Sequence, residues 1–170
     1  EDNDENVWLG LDNGISNINF NAPFRVYKDD LGILGSVYTT FLDDDVLYLG
    51  TNQGLFSIDW PLRYKSNLRN QVRKVGGING QIWGLSRLGE SLIINSNAGT
   101  FQLKKSTIYP ISPPQGAWKI MPLAGATSLA IEGGYTGLFL YEKTGEDKAS
   151  LPNWRYKHRI EGFDESARVL

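Results

Sequence analysis

A chain of 170 residues can bury a sizeable core, and its 41% hydrophobic, 12% aromatic and 21% charged residues exclude a disordered polymer. With 17 Lys and Arg against 19 Asp and Glu the net charge is -2, so the basic footprint of a nucleic-acid binder is missing. The absence of cysteine excludes a disulfide scaffold, a thiol nucleophile and a zinc–thiolate centre.

The acidic opening Glu1-Asp2-Asn3-Asp4-Glu5 is unlike a signal peptide, and no apolar run approaches the roughly 18 residues that cross a membrane. Either a cytosolic protein or a mature or excised piece of a longer one is expected, and the repeats below favour the second. The first predicted elements are two strands over 7–11 and 15–20, with an outer strand near 24–27. They turn through Asp12-Asn13-Gly14, and Asn and Gly tolerate the positive φ of a tight hairpin. Strands then follow over 37–42, 46–50 and 55–59, with a last one near 72–75.

The same phrase recurs down the chain. Val7-Trp8-Leu9-Gly10-Leu11-Asp12-Asn13-Gly14 is echoed by Leu47-Tyr48-Leu49-Gly50-Thr51-Asn52-Gln53-Gly54 and by Leu92-Ile93-Ile94-Asn95-Ser96-Asn97-Ala98-Gly99. A looser copy runs from Ala130 through Glu132, Gly133 and Gly134 to Gly137. The anchoring glycines Gly14, Gly54, Gly99 and Gly137 are 40, 45 and 38 residues apart. A second landmark, Gly35-Ser36-Val37-Tyr38, Gly80-Gln81-Ile82-Trp83 and Gly116-Ala117-Trp118, precedes the last three by 19, 19 and 21 residues. A period near 40 built from short strands is that of propeller blades. Phe56/Ile58, Phe101/Leu103 and Phe139/Tyr141 repeat a bulky face for stacked sheets to bury.

The predicted fold is all-β: a β-propeller segment of four-stranded antiparallel blades, about three complete ones plus split pieces of a fourth. The pieces fall at 1–35, 36–80, 81–116, 117–160 and 161–170, the last beginning a first strand at Ser166. A closed four-bladed ring would be tight, so a fragment of a larger propeller is expected. Its open edges predict pairing with remaining blades or self-association.

Trp8, Tyr48, Trp83 and Trp118 recur at strand positions, where rings either stack on sugar faces or pack between blades. Tyr135 and Trp154 break that register and are expected to be more exposed. Trp83, Trp118, Tyr135 and Trp154 are therefore the candidate ligand-binding residues. Asp43-Asp44-Asp45 lacks the Asp-x-Asp-x-Asp-Gly calcium pattern and reads as a solvated turn. His158, the single histidine, sits where Arg155, Lys157 and Arg159 predict a cation-guarded outer strand. No triad motif and no phosphate loop is present, so no catalytic residue, metal ligand or cofactor is assigned.

The first two phrases, with Gly80-Gln81-Ile82-Trp83-Gly84-Leu85 and Gly162-Phe163-Asp164-Glu165-Ser166-Ala167-Arg168, resemble the two-component-regulator propeller repeats. The resemblance covers essentially the whole chain, and the Gly133–Leu138 unit departs most. Such repeats occur in periplasmic sensor portions of hybrid two-component proteins of Bacteroides-type bacteria. The resemblance implies a sensor fragment that detects a glycan-derived oligosaccharide and relays it to a histidine kinase outside this chain. No enzymatic role, nucleic-acid contact or membrane segment is implied within it. Alternatives are a fragment of an extracellular lyase or glycosidase propeller, or a protein-interaction scaffold.

Overall fold

A computed structural model describes residues 6–19, 21, 32, 34–61, 71–145 and 151–168. The chain divides into two compact units, Glu1–Asp30 and Leu31–Leu170. In the first, β1 (Asn6–Leu11) and β2 (Gly14–Asn19) form the expected antiparallel hairpin, in register from Asn6–Asn19 to Leu11–Gly14. The outer strand expected near 24–27 lies outside the described residues.

The second unit contains three four-stranded antiparallel sheets, each a simple up-and-down meander. One is formed by β3 (Val37–Asp43), β4 (Val46–Thr51), β5 (Gly54–Asp59) and β6 (Arg73–Lys74). The next has β7 (Ile82–Leu88), β8 (Ser91–Ser96), β9 (Gly99–Lys104) and β10 (Thr107–Pro110). The third has β11 (Ala117–Leu123), β12 (Ala126–Gly134), β13 (Leu138–Lys143) and β14 (Trp154–Arg159). The first strands lie side by side, with β7 between β3 and β11. The fold is thus all-β, with propeller-like blades presenting their first strands to one another.

Two apolar seams join the blades. Leu55 of the first meets Ile82, Leu92, Ile94 and Leu103 of the second. Leu88 and Ile93 of the second meet Ile120, Ala130, Phe139, Tyr141 and Trp154 of the third. The middle blade is covered on both faces, so every residue of β8 is buried. Alternation along that strand sends Leu92 and Ile94 to one seam and Ile93 to the other. Because neither face of such a sheet is wettable, each blade depends on its neighbour.

The segment 166–170 was expected to open another blade. Ser166–Arg168 forms no strand, yet it packs where an inner strand would: the Ala167 amide donates to Gly134 O at 3.0 Å, and Ala167 is buried. In the repeat, Ala167 matches Ile82 and Ala117, which are buried in the same way. Residues 169 and 170 lie outside the described residues.

Close approach of first strands requires glycine at one inner position. A Cβ on Gly84 would stand 2.6 Å from Trp118 O, a backbone atom that cannot turn aside. Gly84→Ala is expected to destabilise by about 1–3 kcal/mol, as overpacking does, and to lower the urea midpoint. An unchanged midpoint would mean that the strands are not in this contact.

Candidate functional site

The inner strands carry one irregularity at the same place. Pairing slips between Val37 and Thr39 in β3, between Ile82 and Gly84 in β7, and between Ala117 and Lys119 in β11. The skipped residues are Tyr38, Trp83 and Trp118. A bulge leaves its extra residue out of the ladder and re-aims its side chain, so three aromatics at one place in successive blades turn the same way.

The landmark glycine before each bulge has a structural cause. Asn52 Oδ1 accepts from the Ser36 amide at 2.9 Å, and Asn97 Oδ1 accepts from the Gln81 amide at 3.1 Å. A Cβ on Gly35 or Gly80 would collide with these amide groups, and both glycines have positive φ, 65° and 93°. In the third blade Tyr135 occupies the place of Asn52 and Asn97: its amide donates to Gly116 O at 3.0 Å, and its ring covers Gly116. The divergent turn thus supplies a fourth aromatic to the row.

The rings lie against one another, the first pair stacked and the other two tilted. Tyr38 and Trp83 lie 4.9 Å apart at 24°, Trp83 and Trp118 5.1 Å apart at 49°, and Trp118 and Tyr135 4.6 Å apart at 37°. Trp83 Nε1 donates to Tyr135 Oη at 2.6 Å, and Trp118 Nε1 donates to Ser166 Oγ at 2.9 Å. Arg168 stands at the next inner-strand position of the repeat and places its guanidinium over Trp118, Cζ 5.2 Å from the ring centroid. Tyr38, Trp83, Trp118, Lys119 and Arg168 line a cavity of about 390 Å³ along the inner strands. That volume lies within the usual range of small-ligand sites. Tyr38, at the open end of the row, is 45% exposed.

The candidate residues chosen from sequence therefore separate. Trp83, Trp118 and Tyr135 come together in one row of ring contacts, and Trp83 and Trp118 line the groove. Trp154 does not join them. It is 2% exposed, contributes to the seam between the second and third blades, and donates from Nε1 to Leu88 O at 3.3 Å. Its expected exposure is corrected, because its strand turns that ring onto β7. Trp8 and Tyr48 do not share the place of Trp83 either. They lie on the second strand of the repeat, where Tyr48 packs with the first seam and its burial raises the phenol pKa. Tyr38, Lys119 and Arg168 were missed. Only Tyr38 carried a signal, its place in the Gly-x-x-aromatic landmark.

The polar candidates take structural roles. Asp43 pairs with Arg87 of the next blade, and Asp44 turns the chain with φ 48°. His158 is exposed on β14. Arg155 and Lys157 both reach Glu142, at 2.7 and 2.9 Å, and together they hold its carboxyl below the usual range. Arg159 pairs with Asp164 at 2.5 Å. Among the described residues no three His, Asp or Glu side chains converge to hold a metal.

A carboxyl lies buried in the seam, away from the groove. Glu132 is fully buried and accepts from Asn95 Nδ2 at 2.9 Å, from Thr100 Oγ1, and from Tyr141 Oη at 2.9 Å. Desolvation pushes its pKa up to about 7, although the three donors oppose that rise. With three donors from within the protein and no exposure, it serves packing rather than proton exchange with a ligand. No family model, curated protein or solved structure matches this chain.

Proposed function

We propose that the chain is a recognition segment of a sensor protein, binding a glycan-derived oligosaccharide in the aromatic groove. The observation carrying this reading is the row Tyr38, Trp83, Trp118 along one cavity, supported at Tyr135. Sugar rings offer apolar C–H faces beside hydroxyls, and aromatic walls flanked by polar groups complement both. Assignment to a periplasmic hybrid two-component sensor with a histidine kinase elsewhere rests on the repeat phrases. Binding would act on such a kinase only through different affinity for two arrangements of the sensor. The groove suits this, because its wall is shared by three blades and its rings touch across both seams.

The test is titration of the 170-residue protein with a panel of oligosaccharides, followed by tryptophan emission. A saturable change is expected for at least one, and Tyr38→Ala should weaken that binding about tenfold, the upper end of one aromatic contact. Tyr38 is the most exposed ring of the row, so its loss should lower the unfolding midpoint only by its one stacked contact with Trp83, about 1 kcal/mol. Saturable binding that Tyr38→Ala leaves intact would place the ligand elsewhere.

A further inference from the structure

Charge along the groove narrows what it would accept. Among the described residues its wall contains two cations, Lys119 and Arg168, and no carboxylate. Neither cation has an ion-pair partner among the described residues, in contrast to Arg73, Arg87, Arg155, Lys157 and Arg159, which all do. Arg168 is further set apart by its geometry. Its guanidinium rests on the Trp118 ring, and no hydrogen bond from it is made to any described residue. With no such bond, its five N–H donors remain available in the fork that matches an oxyanion. Trp118 is itself fixed, by its bond to Ser166 and by rings on either side. An arginine so held has lost part of its rotamer freedom before any ligand arrives, which lowers the cost of binding.

The position strengthens the argument. Arg168 stands where the three preceding blades' landmarks place Tyr38, Trp83 and Trp118, so an aromatic row ends in a cation. A ligand lying along that row meets ring surface first and fixed positive charge at one end.

We infer that the groove takes an acidic saccharide, one carrying a carboxylate or sulfate group, with the anion held by Arg168 and Lys119 and the sugar ring along Tyr38 and Trp83. This rests on the carbohydrate reading above and adds the ligand's charge and its orientation. Charge-assisted bonds to a bidentate arginine are about twice as strong as neutral ones, so the anion sets affinity as well as direction.

Two matched pairs test it by calorimetry at low salt: trigalacturonate against galactotriose, and 6-sulfated against unsulfated N-acetyllactosamine. In at least one pair the anionic member should bind about tenfold more tightly than its neutral partner. That advantage should shrink as salt rises and disappear in the Arg168→Met, Lys119→Met double variant, whose unfolding midpoint serves as the folding control. Neutral members binding as tightly as acidic ones would overturn the acidic ligand and leave the carbohydrate reading standing. Binding by none of the four would overturn both. An anionic preference surviving in the double variant would remove these two residues from the site.

Discussion

Lowering the pH from 8 to 5.5 is expected to stabilise this protein by about 2 kcal/mol through Glu132 alone. Burial lifts the folded-state pKa of this carboxyl from an ordinary 4.5 to about 7. A group raised on folding contributes fully below its unfolded pKa, and that contribution is lost as pH rises through the folded one. The window is therefore roughly 4.5 to 7, with stability falling toward alkaline pH. Glu132→Gln keeps the volume and removes the titration, so its urea midpoint should be nearly flat from pH 5.5 to 8. A gradient of the same size in the Gln variant would assign the effect to another group.

Trp154→Ala should cost about 3–5 kcal/mol, the range for truncating a buried large aromatic. The ring fills the seam beside Leu88, Ile93 and Tyr141, and its N–H has the Leu88 carbonyl as partner. Trp154→Phe retains much of the volume and loses the hydrogen bond, for about 1 kcal/mol from that bond plus a small packing loss. Urea denaturation of both variants separates the two contributions. If Trp154→Ala unfolded at the same urea concentration as the parent, the outer strand would not be docked across the seam as described.

The two seams differ in chemistry at matching positions. In the first, Leu55 of β5 meets Ile94 of β8. In the second, the corresponding residues are Thr100 of β9 and Glu132 of β12, and Asn95 joins them. A hydrogen-bonded set facing an apolar surface would leave several buried groups unsatisfied, at about 1–3 kcal/mol each. The second and third blades are thereby matched to each other, and exchange of their order would be penalised. Such use of buried polarity resembles a single polar residue that fixes the pairing of coiled coils.

Legibility in the sequence followed how local each interaction is. Glycines at hairpin turns, alternating apolar strands and a period near 40 are set by residues close along the chain, so the all-β, four-stranded unit could be read directly. The repeated Phe56, Phe101 and Phe139 also announced the buried faces, because stacking needs the same face in every copy. The aromatic row was only half visible. Trp83 and Trp118 were plain, but without the ladder there was no means of knowing that the slipped register of β3 turns Tyr38 the same way. Trp8 and Tyr48 looked equivalent because they too precede a glycine turn, although they lie one strand further out.

Sequence by itself determined the unit: a four-stranded meander with one apolar face pattern, repeated, since turn chemistry and side-chain alternation act within a few residues. Tertiary structure alone decided which side chains meet between units. It put Tyr135, from a divergent turn, against Trp83, placed Arg168 on Trp118, hid Trp154 in a seam, and closed three donors around Glu132. Those contacts join residues 9 to 66 positions apart, most of them on different strands of different blades, and a bulge redirects a side chain without changing the residue that carries it.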